Sequence, residues 1–208
     1  MNKANEKIFV IDDDASVRRS LPLLLKASDY SVETFPSSEE FLKRDTFKGI
    51  GCIILDINLE GKSGLELQDE LINKKYFLPI IFITGKGGVP ESVQALKKGA
   101  IDFLQKPFDD EQLLSAVKDA ILKSHEIKKE FDEKNKMRDL ISKLTERELE
   151  IFKYVITGML NKQIAYKLNI AEHTVKIHRG KITEKLGVKS VAELVRIAEK
   201  SGIELLIQ

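Results

Sequence analysis

Short apolar runs and amphipathic stretches alternate along the first half of the chain. "KIFVI" (7–11), "SVETF" (31–35), "CIILD" (52–56), "IIFIT" (80–84) and "DFLQ" (102–105) have the length and composition of strands. Between them lie stretches of helical character: 15–28, 37–44, 63–74, 90–99, and one starting at about Asp109. The second opens on a Ser-x-x-Glu capping signal, and the fourth has Pro in its first turn and Gly at its end. Strands separated by helices imply right-handed crossovers. The expected fold is therefore α/β, a doubly wound, five-stranded parallel sheet with helices on both faces.

The pattern changes after Asp109. It stays helical to about Ser142, and "EIKKEFDEKNKMRD" (126–139) is densely charged with no Gly or Pro. Its apolar positions are too sparse for sustained heptads, so it reads as a solvated helical spacer. A new unit starts at "LTERELEIF", where Thr145 and Glu148 form a capping box and Leu144 and Leu149 a hydrophobic staple. Leu149, Phe152 and Ile156 share a face, and Gly158 stops the helix. Asn161 is expected to cap "KQIAYKL", with Ile164, Ala165 and Leu168 inward. "EHTVKIHRGKITEKLG" and "SVAELVRIAEK" complete a small all-α unit of four helices with a helix-turn-helix at its centre. The domains expected are 1–122, a helical linker 123–141, and 142–208.

Charge supports this division. The formal net charge of +1 hides −4 over residues 1–122 (16 Lys+Arg, 20 Asp+Glu) and +5 over 123–208 (18 and 13). An acidic half joined to a basic half suggests different partners for each. There is no long apolar run to span a membrane, and "MNKANEKIFV" lacks a signal peptide's apolar stretch, so the expected compartment is the cytoplasm. One cysteine, Cys52, permits no internal disulfide. With three histidines (125, 173, 178) it makes no metal-ligand cluster.

The strand ends carry the chemistry. The first strand exits into Asp12, Asp13 and Asp14, the third into Asp56, the fourth into Thr84, the fifth into Lys106-Pro107. In open parallel sheets, ligands bind at the carboxyl ends of strands. Clustered carboxylates there favour a hard divalent cation such as Mg²⁺, and a carboxylate can attack phosphorus. A hydroxyl and an ammonium can then neutralise phosphoryl oxygens.

"VIDDD", "LDINLEGKSG", "FITG" and "DFLQKPF" together resemble the receiver domain of bacterial two-component response regulators, which has a flavodoxin-like fold, over roughly residues 5–122. The resemblance implies Asp56 as phosphoacceptor, with Mg²⁺ held by Asp12, Asp13, Asp56 and the backbone carbonyl of Asn58. It implies that Thr84 and Lys106 contact the phosphoryl group and that Phe103 is the switch aromatic. It also implies a cis bond at Lys106-Pro107. Two features depart from the family: Leu59-Glu60-Gly61 stands where Met-Pro is usual, and Phe103 lacks a tyrosine's hydroxyl. Asp12-x-Asp14 also resembles the opening of haloacid-dehalogenase-type phosphatases, but Ala15 and Ser16 follow where those enzymes have a Thr/Val-Gly pattern. A flavin phosphate would be repelled by the three acids of the first loop.

Residues 142–204 resemble the LuxR/FixJ/NarL-type DNA-binding domain, with "HTVKIHRGKI" as recognition helix. At 100° per residue, Val175, Ile182 and Leu186 form the inward stripe of that helix, and His178 falls at its edge. His173, Lys176, Ile177, Gly180 and Lys181 face outward. The expected DNA-binding set is these five with Thr174 and Arg179. The combined resemblance implies a transcription regulator of the FixJ/NarL class rather than an enzyme. Its expected partners are a sensor histidine kinase, double-stranded promoter DNA, RNA polymerase, and a second copy of itself when phosphorylated.

Overall fold

Five parallel strands, β1 (Lys7–Ile11), β2 (Ser31–Phe35), β3 (Gly51–Asp56), β4 (Ile80–Thr84) and β5 (Asp102–Gln105), lie in the order β2-β1-β3-β4-β5. They alternate with α1 (Ala15–Ala27), α2 (Ser38–Lys43), α3 (Gly64–Asn73), α4 (Val89–Lys97) and α5 (Asp110–Ile141). Then come α6 (Glu146–Val155), α7 (Asn161–Leu168), α8 (Glu172–Leu186) and α9 (Val191–Ser201). This computed structural model describes residues 6–85 and 89–203; residues 1–5, 86–88 and 204–208 lie outside the described residues. The chain divides into two compact units, residues 1–128 and 129–208. Among the described residues, no helix is long and apolar enough to cross a membrane.

Alternation along the central strands splits the core of the first unit in two. Phe9, Ile11, Ile53, Leu55 and Phe82 face one side, packing with Phe41 of α2, Leu67 and Leu71 of α3, and Ala95 of α4. Ile8, Val10, Cys52, Ile54, Ile81 and Ile83 face the other, packing with Leu21 and Leu25 of α1 and Leu113, Val117 and Ala120 of α5. A strand buried on both faces needs apolar residues at every position, which is why β3 and β4 read as unbroken runs. Burial also pushes the Cys52 thiol up to about 12.

The second unit gathers Ile151, Phe152 and Val155 of α6, Ile164 and Ala165 of α7, Val175, Ile182 and Leu186 of α8, and Leu194, Ile197 and Ala198 of α9. Ile141 joins them from α5, with Met137 and Leu140 partly buried against the same cluster. The last turns of the charged helix thus help close this core. Arg138 Nε donates to the carbonyl of Ser201 at 3.1 Å, and Lys200 pairs with Glu133 at 2.8 Å, so the end of α9 is tied to α5. A core this small depends on each large side chain: truncating Phe152 to alanine is expected to cost about 3–5 kcal/mol.

Several predicted caps form. Ser37 Oγ accepts from Glu40 N, and Thr145 and Glu148 make the reciprocal capping box. One does not. Asn161 is the first residue of α7 rather than its cap; Leu160 holds that place, and Gln163 Oε1 accepts the Leu160 N–H at 2.8 Å. The amide of Asn161 is engaged elsewhere, because its Oδ1 accepts from Arg179 Nη1 at 2.9 Å.

Candidate phosphoacceptor cleft and DNA-reading helix

Strand register assembles the first site. Ile11 is level with Leu55, so Asp12 and Asp56 leave adjacent strands side by side. Asp56 is level with Ile83, and Thr84 is level with Gln105, which puts Thr84 and Lys106 at the same rim. Because β1 lies between β2 and β3, the chain reverses direction of winding here, and the loops after β1 and β3 open a cleft.

Lys106 sits between two acids. Its Nζ donates to Asp12 Oδ2 at 2.7 Å and to Asp56 Oδ2 at 2.6 Å. Asp12 is fully buried and Asp56 is 6% exposed. Burial pushes the Asp12 carboxyl above its ordinary range, against the pull of Lys106. Burial also works against the Lys106 ammonium, but its two carboxylate partners outweigh that cost and its pKa is raised. Backbone groups fix the remaining oxygens: Asp12 Oδ1 accepts from Asp14 N and Asp56 Oδ1 from Asn58 N, both at 2.8 Å.

The three strand-end acids of the first loop have separate roles. Asp12, Asp13 and Asp56 bring one carboxylate oxygen each within 4.8 Å of one another. Three hard oxygens that close, one of them exposed, suit a divalent cation that keeps water or takes phosphate oxygens as further ligands. Asp14 instead caps α1, accepting from Ser16 N at 2.7 Å, and the Ser16 hydroxyl and then this N–H lower its pKa. Thr84 is buried, and its Oγ1 accepts from Asn58 Nδ2 at 2.9 Å. Phe103 is half-buried against the core. The Lys106-Pro107 bond is cis.

The second candidate surface is one face of α8. His173, Lys176, Ile177, Gly180 and Lys181 are exposed, and Ile177 is 46% so, an unusual position for a branched apolar side chain. Val175, Ile182 and Leu186 are buried beneath them. Thr174, His178 and Arg179 are half-buried at the margins. A Cβ built on Gly180 would meet nothing within 4 Å, so packing inside the unit does not require glycine there. The turn before α8 is set by Asn169 in the left-handed conformation (φ 50°), a region that asparagine tolerates.

These two arrangements match known families. The response regulator receiver domain matches residues 8–118, and the luxR family of bacterial regulatory proteins matches residues 142–198. The transcriptional regulatory protein TdiR of Thauera aromatica is 44% identical over 195 residues, 94% of this chain and 86% of TdiR. The transcriptional regulatory protein FixJ of Azorhizobium caulinodans is 38% identical, over 94% of this chain and 93% of that one. Among solved structures, the response regulator StyR is 42% identical with a TM-score of 0.78, over 94% of this chain and 99% of StyR. Full-length FixJ from B. japonicum is 33% identical with a TM-score of 0.55, over 95% and 98%. The chain belongs to the response regulators.

This response regulator joins a receiver domain to a LuxR-type DNA-binding domain, and its relatives include transcriptional regulatory proteins. A receiver implies a kinase partner, and the second domain implies DNA binding. The structure brings Asp12, Asp13, Asp56, Asn58, Thr84 and Lys106 to one cleft and packs Phe103 against the sheet core on β5. Two contacts escaped the sequence. Arg18 Nη1 donates to the carbonyl of Asp12 at 2.7 Å, steadying the loop that carries the acids. The side chain of Asn58 reaches Thr84, while its backbone N–H reaches Asp56. Arg18 lies six residues beyond Asp12, about one turn into α1, and that spacing was the only available signal.

Proposed function

We propose that a sensor histidine kinase transfers a phosphoryl group to Asp56 of this response regulator. One Asp56 oxygen attacks phosphorus as the bond from phosphorus to the donor imidazole nitrogen breaks. Lys106, already hydrogen-bonded to Asp56, moves its ammonium to a phosphoryl oxygen, and Thr84 donates its hydroxyl proton to another. Asp12, Asp13, Asp56 and the Asn58 carbonyl would hold Mg²⁺, which supplies charge neutralisation on the transferring oxygens. Residues 1–122 make up the receiver, 123–141 the helical linker and 142–208 the DNA-binding domain. The chain acts as a phosphoacceptor in the cytoplasm and not as an enzyme on free substrates.

The phosphoryl group draws Thr84 toward it, and Phe103 follows into the space released, biasing a two-state receiver. The biased state dimerises and binds promoter DNA through the face of α8 formed by His173, Thr174, Lys176, Ile177, Gly180 and Lys181, with Arg179 at its margin, where it acts on RNA polymerase. The observation that most supports this reading is the Lys106 ammonium spanning Asp12 and Asp56, with Asp13 beside them. Incubation with labelled acetyl phosphate and Mg²⁺, followed by mapping of the modified residue, tests it. Label on Asp56 that depends on Mg²⁺ is expected; label elsewhere, or none, overturns it.

A further inference from the structure

Arg179 does not share the surroundings of Lys176 and Lys181, the cations on either side of it. Lys176 and Lys181 are exposed, whereas Arg179 is half-buried and its Nη1 donates to Asn161 Oδ1 at 2.9 Å. Asn161 is the first residue of α7, one past the cap position held by Leu160, and its Oδ1 accepts from Arg179, while Gln163 Oε1 accepts from Leu160 N. An asparagine at the entry of a helix ordinarily caps it with its own side chain. Here that side chain spans 18 residues of sequence to reach a different helix.

The position of this bond matters. α7 has eight residues, too few to hold its own orientation, and of these Ile164 and Ala165 are buried. The turn around Asn169 joins its C-terminal end to α8. The Arg179–Asn161 bond ties its other end to the same helix, two turns further along. With constraints at both ends, the angle between α7 and α8 is fixed. A planar guanidinium gives such a tie direction as well as charge.

We infer that Arg179 is a positioning residue: it holds the first turn of α7 against α8 through Asn161, and so sets how the exposed face of α8 meets DNA, without itself clamping a phosphate. This rests on the DNA-reading role proposed for α8.

The test uses the full chain held in its activated state with beryllofluoride and Mg²⁺, and a duplex that the wild-type chain selects from a random library, titrated over a series of salt concentrations. Thermal melts of every variant come first. Arg179→Ala should weaken binding about tenfold, as loss of a charged hydrogen bond does. The slope of log affinity against log salt should not change, because no counterion release is lost. Arg179→Lys should be as weak as Arg179→Ala, since an ammonium keeps the charge but not the fork. Asn161→Ala should match it, and the double variant should be no weaker than either single one. A fall in slope of about one unit, with Arg179→Lys at wild-type affinity, would make Arg179 a phosphate clamp and overturn the inference. Additive losses in the double variant would also overturn it. If Arg179→Ala melts below the assay temperature, the affinities of Arg179→Lys and Asn161→Ala decide: both weakened about tenfold is expected, and both at wild-type affinity would overturn the inference. Failure of the wild-type chain to select any duplex would instead refute the DNA-reading role of α8, and this inference with it.

Discussion

Lys185 of α8 places its ammonium 2.6 Å from the buried carboxylate of Glu148 on α6. The same Glu148 oxygen accepts from Thr145 N at 2.9 Å, closing the capping box of α6. One carboxylate therefore both starts a helix and joins two helices. The Lys185 hydrogen bond, and then that of Thr145, lower its pKa from 4.5 to about 2.

A depressed carboxylate stabilises the fold above its unfolded pKa and stops doing so as pH falls through its folded pKa. The DNA-binding unit should therefore lose stability as pH falls from about 4.5 toward about 2. Lys185→Met should lower stability at pH 7 by about 2 kcal/mol, below the value for a fully buried pair because the lysine is a third exposed. It should also shrink the acid-dependent loss. Urea unfolding of both proteins across this pH range measures each effect; equal acid-dependent losses would assign the acid sensitivity to another group.

Asp56→Asn should abolish labelling by acetyl phosphate, whereas Asp14→Asn should leave it intact. Asparagine caps a helix about as well as aspartate, so α1 should keep its start. Labelling lost in the Asp14 variant would place that carboxylate in the chemistry.

Lys106→Met removes the ammonium that competes with a dication for Asp12 and Asp56. Mg²⁺ should bind the unphosphorylated variant more tightly, by up to about tenfold, or about 1.4 kcal/mol. Phosphoryl uptake should nonetheless slow. Titration with Mg²⁺, followed by calorimetry, separates affinity from rate; weaker Mg²⁺ binding would show that Lys106 organises the acids instead of competing for them.

Beryllofluoride with Mg²⁺ should convert the chain from monomer to dimer in sedimentation at tens of micromolar. A monomer that persists when Asp56 is saturated would point to another coupling between the receiver and DNA binding.

On α8, Lys176→Ala should cost about 1–3 kcal/mol on the selected duplex and much less on random DNA. Lys181→Ala should weaken both about equally and lower the salt slope by roughly one unit. Titrations of the two variants on both duplexes distinguish base reading from phosphate contact, and equal losses for Lys176→Ala on both would make it a phosphate contact.

The elements that were legible in the sequence are those whose pattern is local. β1, β2, β4 and β5 begin and end as their runs in the sequence do, β1 and β4 as almost wholly buried apolar runs and β2 and β5 as edge strands that keep polar positions. The rim of Asp12, Asp56, Thr84 and Lys106 was legible because parallel strands in register deliver their next residues to one edge. What stayed hidden involves choices between partners. Asn161 had a local acceptor role at the start of a helix, yet the helix begins one residue earlier than that role needs and the amide pairs with Arg179, distant in sequence. The contribution of Met137, Leu140 and Ile141 to the second core was likewise masked, because the charged run before them dominates the local composition.

Cys52 gives the chain a built-in reporter. It is the only cysteine, it is fully buried in β3, and its thiol is held up to about 12, so alkylating reagents meet almost no thiolate while the sheet is closed. Its modification rate should therefore count openings of the receiver core without any probe being introduced. A single cysteine placed on α4 or α8 would label cleanly beside it, leaving the native thiol as an internal clock.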